Sequence, residues 1–500
     1  MNHKKITTLG ELKKSGWTSS SVKDEMRRNL LKKIENKESL FPGIMGYENT
    51  VIPQMKNAIL ARHDLILLGL RGQAKTKMLR MLVAFLDEYI PVVEGSEVND
   101  DPLLPVSKFA VELIDEKGDD TPIEWLHRER RYGEKLATPD TSVADLIGDL
   151  DPIKAASKKL ALADEEVINF GLIPRTNRGI FVINELPDLQ PRIQVALLNI
   201  MQERDIQIRG FNVRIPLDVS IAFSANPEDY TNRGNIITPL KDRIDSQIIT
   251  HYPRELSTGI KITEQEAWTN RGDSVVVNIP DVYRTIIENV AFEARKSEYI
   301  DQKSGVSTRM TITAMEQVIS SAESRAALNG ETQTDLRITD LYAMVPALTG
   351  KLELVYEGEQ EGAVNVAKHI IGKAINKTFK EHFPDPQTRK RDEDNSSYEA
   401  ILNWFSDGNL LELPSSTDDN TYKNRLDEVD GLDSLVESKF TTLAGSKYPV
   451  MDLVIEALHQ NSKIGKDDID DVHTYTDMLG SMLGGMTGFD DEDYQDDDPF

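Results

Sequence analysis

The residues most able to do chemistry form one run, Gly69-Leu70-Arg71-Gly72-Gln73-Ala74-Lys75-Thr76. Glycines at this spacing let consecutive backbone N–H groups turn towards phosphate oxygens, and the positive end of a following helix adds to the same field. Lys75 would place its ammonium on the β and γ phosphates, and Thr76 would offer its hydroxyl to Mg²⁺. Gly69, Arg71, Gly72, Gln73, Ala74, Lys75 and Thr76 are therefore candidates to hold ATP or GTP. Ala74 stands where the last glycine of such a loop is expected, so the pattern alone is loose. Its flanks tighten it. Asp64-Leu65-Ile66-Leu67-Leu68 reads as a buried strand before the loop, and Met78, Leu79, Leu82, Val83 and Leu86 recur at helical spacing after it.

Further along, Gly179-Ile180-Phe181-Val182-Ile183 reads as a second buried strand and ends in Asn184-Glu185. Nucleoside triphosphatases keep an acid for Mg²⁺ and a base for the attacking water at such a strand end. A third apolar run, Val219 to Ser224, delivers Asn226 at its end. Leu240-Lys241-Asp242-Arg243-Ile244 offers one arginine, and Ser307-Thr308-Arg309 offers another at a helix start. Arg204 to Arg214 alternates around a turn and predicts a β-hairpin. The cluster His127-Arg128-Glu129-Arg130-Arg131 mixes signs and reads as a solvated face.

These groups need elements to hold them. Strand-like runs alternate with helical patterns from residue 41 to 253, which predicts a largely parallel sheet with helices on both faces. Residues 1–40 form a charged helical lead-in punctuated by Phe41-Pro42-Gly43. Residues 254–383 read as helical, with stripes Val282, Ile286, Val290, Ala294 and Met315, Val318, Ile319, Ala322, Ala326, and a third helix near Gly362 to Phe383. A linker at 384–395 leads to a small C-terminal segment at 396–471. The tail, 472–500, is Met/Gly-rich and then acidic, a composition expected to be disordered alone and suited to a docking peptide.

Composition narrows the classes. No cysteine among 500 residues excludes disulfides, thiolate metal sites and cysteine nucleophiles. Eight histidines without paired ligand spacing speak against a protein-built transition-metal centre. A net charge of −26 argues against broad nucleic-acid binding, and no segment has the length and apolarity of a membrane span or a signal peptide, so a cytoplasmic protein is expected.

Taken together, residues 41 to 330 resemble AAA+ ATPases of the clade that holds the magnesium chelatase ATPase subunit and the MoxR proteins. The resemblance rests on Pro42-Gly43-Ile44-Met45-Gly46, the loop 69–76, Val92-Val93-Glu94-Gly95, Asn99-Asp100-Asp101-Pro102, Gly148-Asp149-Leu150-Asp151, Asn177-Arg178-Gly179-Ile180, Asn226-Pro227-Glu228 and Asp242-Arg243. That clade commonly carries Arg-Gly-x-Ala-Lys-Ser/Thr, so Ala74 follows its pattern. The resemblance implies an AAA+ core with a helix-2 insert near Leu136 to Thr176, a pre-sensor hairpin near Gln207 to Val213, and an α-helical lid. It implies ATP and Mg²⁺ as ligands, Glu185 as water-orienting base, Asn226 as sensor 1, Arg243 as arginine finger and Arg309 as sensor 2.

Two departures bear on function. The aspartate that the family keeps on the Mg²⁺ side is Asn184 here, which weakens the field on the metal and is expected to slow hydrolysis without preventing ATP binding; Asn184→Asp is then expected to raise turnover or lower the Mg²⁺ requirement. The cysteines that chelatase subunits often carry near Asn99 to Pro102 are missing, which weighs against porphyrin metallation. The resemblance implies an ATP-driven homo-oligomeric ring, a hexamer, that remodels or activates a partner with a von Willebrand factor type A domain, as a chaperone does in metal insertion or complex maturation. The alternatives are an ATP-binding regulatory scaffold with weak turnover and an AAA+ transcription activator. For the activator, neither its Gly-Ala-Phe-Thr-Gly-Ala loop nor a terminal helix-turn-helix is apparent.

Overall fold

The computed structural model describes the chain except residues 1–4, 159–164, 208–213, 227–234, 273–274, 388–396, 440–446, 470–471 and 479–500. It divides into two compact units, Met1–Tyr252 and Pro253–Phe500.

The first unit is built on five parallel strands, numbered here β1 (Leu65–Leu68), β2 (Tyr132–Leu136), β3 (Gly179–Asn184), β4 (Val219–Ala225) and β5 (Ser246–Ile249). Their order across the sheet is β5-β1-β4-β3-β2. β3 and β4 are buried along their whole length, as expected for central strands covered on both faces. Side chains alternate between two cores. Ile66, Phe181, Ile183, Ile221 and Phe223 pack with Ile193 and Leu197 of the helix Pro191–Glu203. Leu65, Leu67, Ile180, Val182 and Ala222 pack instead with Met26, Leu30, Met55, Met78 and Leu79 from helices before and after β1.

The run Asn177-Arg178-Gly179 steers the chain into β3. Asn177 donates through Nδ2 to the Val98 carbonyl at 2.9 Å and accepts through Oδ1 from the Asp218 amide at 2.8 Å, while Arg178 Nη1 donates to the Pro91 carbonyl at 2.7 Å. Gly179 has no substitute, because a Cβ there would stand 2.0 Å from the Arg131 carbonyl oxygen.

The N-terminal lead-in is part of this core. Ser21 caps the helix Val22–Glu35, accepting from the Asp24 amide at 3.2 Å. That helix buries charge: Lys23 pairs with Asp64 at 2.8 Å, and Glu25 takes both terminal nitrogens of Arg131, each at 2.7 Å. Arg131, expected on a solvated face, is fully buried, since an arginine can be taken out of water when a carboxylate matches its fork; Glu129 and Arg130 beside it are exposed. Removing one member of a buried pair leaves the other uncompensated. Glu25→Ala is therefore expected to destabilise the first unit by about 3–5 kcal/mol. Thermal unfolding of the full chain checks this, and an unchanged first midpoint would contradict it.

After the loop, the helix is shorter than its apolar spacing predicts: α-helix covers Lys75–Arg80 and a 3₁₀ segment continues over Met81–Phe85. The expected hairpin has paired stems, Asp205–Gln207 against Arg214–Pro216 antiparallel, and its tip lies outside the described residues. Within Leu136 to Thr176 the chain forms short helices and a two-stranded antiparallel pair, Gly148–Leu150 with Ile168–Phe170.

In the second unit, the helices Asp281–Ala294, Arg309–Leu328 and Ala363–His382 bury the stripes read from the sequence. The C-terminal segment does not stand apart from them. Tyr398, Phe405, Leu426, Leu453 and Tyr475 belong to the same continuous core as Val282 and Ile370, because helix Lys447–Gln460 is buried along most of its length. Nor does the tail begin at residue 472. Val472–Thr476 pairs antiparallel with both Leu411–Pro414 and Gly465–Ile469, and it buries Tyr475, whose hydroxyl donates to Glu456 at 2.6 Å. The Met/Gly-rich and acidic stretch from 479 onwards lies outside the described residues.

Candidate functional site

Open parallel sheets gather loops at the carboxyl ends of their strands. Here β1 is in register with β4 (Leu68 opposite Ala225) and with β5 (Leu68 opposite Ile249), so three strand ends converge on the loop 69–74. The Gly69 amide donates to the Ala225 carbonyl at 3.1 Å. A side chain at Gly69 would collide with its neighbours, its Cβ falling 1.9 Å from Thr250 Oγ1 and 2.2 Å from Gln73 Oε1. Gly72 and Ala74 both take left-handed backbone, φ 73° and 56°. For Ala74 this costs about 1–2 kcal/mol, and the surrounding contacts must hold it.

Several side chains supply that hold. Thr250 donates to Gln73 Oε1 at 2.6 Å, and Tyr252 donates to the Arg71 carbonyl at 2.9 Å. The Tyr47 hydroxyl lies 3.0 Å from the Gln73 carbonyl and 2.8 Å from that of His251. Burial pushes the Tyr47 phenol up to about 12, so it keeps the proton with which it donates.

Lys75 is buried, and its ammonium donates to the Gly69 carbonyl, to the Leu70 carbonyl at 3.0 Å and to Asn226 Oδ1 at 2.6 Å. The structure thus brings together two residues 151 positions apart that the sequence analysis singled out. Pro227 and Glu228 lie outside the described residues. Thr76 follows on the same helix, half-buried.

β3 ends one strand away. Glu185, just beyond it, has left-handed backbone at φ 55°, ψ 51°, and its amide donates to Ser224 Oγ at 3.4 Å. Asn184 is buried, accepting from the Ser224 hydroxyl at 2.9 Å and donating through Nδ2 to Glu134 Oε1 at 2.6 Å. Glu134, on β2, is held also by Arg80 Nε at 2.8 Å, by Arg80 Nη2 at 3.1 Å and by Tyr132 at 3.1 Å. Burial pushes its carboxyl up, but the hydrogen bonds and charge of Arg80 with those of Tyr132 and Asn184 hold it below its ordinary value, so it is an anion.

The two arginines are placed differently. Arg243 ends the helix Thr238–Arg243, is partly exposed, and pairs with the adjacent Asp242 at 2.8 Å; no described contact joins it to the loop. Arg309 is exposed at the start of its helix in the second unit. Sequence reasoning missed Tyr47, Thr250, Tyr252, Ser224 and Glu134. Of these, Thr250 and Ser224 had a local signal, since Thr250 directly follows the apolar run Ile248-Ile249 and Ser224 closes the run that begins at Val219.

The donors Thr76 and Asn184 present oxygen, which suits a hard cation. Among the described residues no group of three or more His, Cys, Asp or Glu could hold a metal ion.

Comparison with known proteins gives the same direction. The family described as Sigma-54 interaction domain matches residues 159–249, which include β3, β4 and Arg243. The magnesium-chelatase 38 kDa subunit of Cereibacter sphaeroides is 28% identical over 246 residues, 46% of this chain and 64% of that protein. Its namesake from Rhodobacter capsulatus is 27% identical over 234 residues, 44% of this chain and 59% of that protein. The chain thus spans less than two thirds of either relative. A solved complex between subunits BchI and BchD of magnesium chelatase is similar at 20% identity with a TM-score of 0.34, covering 64% of this chain and 98% of the matched one.

Proposed function

We infer that this chain, an AAA+ module similar to the magnesium-chelatase 38 kDa subunit, binds ATP with Mg²⁺ at the loop 69–76 and hydrolyses it to drive the remodelling or activation of a partner protein. The observation that carries this reading is the convergence of Lys75 and Asn226 at the carboxyl edge of the parallel sheet, on a loop already bent for phosphate.

The Lys75 ammonium exchanges its carbonyl and Asn226 contacts for phosphate oxygens, which it neutralises as a point charge. Asn226, released from Lys75, holds the attacking water or the terminal phosphoryl oxygen. Glu185, fixed by its backbone turn at the end of β3, orients that water and accepts its proton. Thr76 and Asn184 would hold the metal and its water shell, and Mg²⁺ there would offset the charge that develops on the phosphates.

Arg243 completes the site from a neighbouring subunit. Its exposure at the end of a helix fits a group that acts across an interface, and a homo-oligomeric ring, a hexamer, supplies one such neighbour to every site. Arg309 serves as the lid's sensor. The partner carries a von Willebrand factor type A domain, and the assembly works in the cytoplasm. No described helix is long and apolar enough to cross a membrane.

Mixing two inactive variants tests the ring. Arg243→Ala alone should lower turnover by about 10³-fold or more, the contribution of such a finger. Mixed with Lys75→Ala subunits, it should regain part of that activity, because some interfaces then join an intact loop to an intact finger. Absence of rescue, with a monomeric mass in every nucleotide state, would reduce Arg243 to the surface partner of Asp242.

A further inference from the structure

Asn184 has a defined orientation, and Glu134 sets it. An ionised carboxylate only accepts hydrogen bonds, so the Asn184 amide nitrogen must face Glu134 Oε1, 2.6 Å away, leaving Oδ1 to the Ser224 hydroxyl at 2.9 Å. Ser224 in turn receives the Glu185 amide. One chain of hydrogen bonds therefore runs from the backbone of the candidate base, through Ser224 and Asn184, to a carboxylate on the adjacent strand. That carboxylate is anchored to the phosphate-loop helix by both Nε and Nη2 of Arg80. Arg80, the last residue of that helix, lies four residues after Thr76 and so shares its helix face.

We propose that Glu134 and Asn184 act as a split acid: the negative charge expected at position 184 is carried by Glu134 and reaches the Mg²⁺ side of the site through the Asn184 amide. Accepting from Nδ2, Glu134 makes Oδ1 more electron-rich, and the second lone pair of Oδ1 is left to take a hydrogen bond from metal-bound water. Glu134 is thus a positioning residue. Its role rests on the ATP–Mg²⁺ reading above and adds to it.

The pairing also changes what Asn184→Asp should do. Taken alone, the sequence predicts a gain from restoring the acid. With Glu134 at 2.6 Å, an aspartate would set two carboxylate oxygens against each other, so the single exchange should lower thermal stability and bring no gain. The reciprocal exchange, Asn184→Asp with Glu134→Gln, keeps one carboxylate and one amide and should be accepted.

The test reads metal affinity apart from turnover. Full-length chain is titrated with N-methylanthraniloyl-ATP in EDTA and then along a Mg²⁺ series, for the wild type, Glu134→Gln, Asn184→Asp and the double variant. Binding in EDTA should be alike in the wild type, Glu134→Gln and the double variant, which reports an intact loop. The Mg²⁺ midpoint should rise about 10- to 100-fold in Glu134→Gln, the usual cost of losing a partner behind a metal ligand, and return towards the wild-type value in the double variant. An unchanged midpoint in Glu134→Gln would overturn the proposal, as would a double variant no better than Glu134→Gln or an Asn184→Asp protein as stable as the wild type with a lower midpoint. If the wild type itself fails to bind the nucleotide, the phosphate-loop reading falls, and the split acid with it.

Discussion

Glu185→Gln should bind ATP as tightly as the wild type and lose its hydrolysis by about 10²-fold or more, the scale of removing a water-orienting base. Glutamine keeps the shape and the left-handed turn that follows β3, so the loop and Lys75 are untouched. Only the acceptor for the water proton is weakened. Phosphate release and fluorescent-nucleotide binding, measured on the same preparation, check the two halves of this expectation. Equal steady-state rates for the variant and the wild type would remove Glu185 from the chemistry.

The second large effect is on binding. In Lys75→Ala the β and γ phosphates lose a charged donor that makes at least two contacts, each worth about 1.5–3 kcal/mol, so affinity should fall about 10²- to 10⁴-fold. The fold should survive: although Lys75 is buried, it donates to the carbonyls of Gly69 and Leu70 and to the side chain of Asn226, all at the edge of the sheet where water can replace the ammonium. Titration with the fluorescent nucleotide, alongside the thermal midpoint, separates the two quantities. Retained affinity in a folded variant would refute the phosphate-loop assignment.

What the sequence revealed follows from which interactions are local. β1, β3 and β4 were legible because central parallel strands are buried on both faces and read as unbroken apolar runs, and the loop 69–76 stood out as a candidate because its pattern is contained in eight consecutive residues. β2 and β5 lie at the sheet edges; Tyr132-Gly133-Glu134-Lys135-Leu136 is half polar and carries no such run. Glu134 therefore stayed invisible, although it accepts from Asn184 at 2.6 Å. Arg131 failed for a related reason: its partner Glu25 lies 106 residues away, and a charge cluster reads as solvated until its carboxylate is found. The same holds for Val472–Thr476, whose polar-looking composition gives no hint that two distant segments pair with it.

The functional residues divide in the same way. Lys75 and Asn226 meet because adjacent parallel strands deliver both at the same level. The roles proposed for Arg243 and Arg309 rest on the resemblance and, for Arg243, on the proposed ring.

The most direct measurement is phosphate release by the purified full-length chain with ATP and Mg²⁺ over a range of protein concentrations. An ATP-driven ring predicts saturable turnover whose rate per chain rises with protein concentration as subunits assemble, and which disappears in Glu185→Gln. Turnover no greater than that of Glu185→Gln at every concentration, in a protein that nonetheless binds ATP, would contradict the motor and leave a nucleotide-binding scaffold in its place.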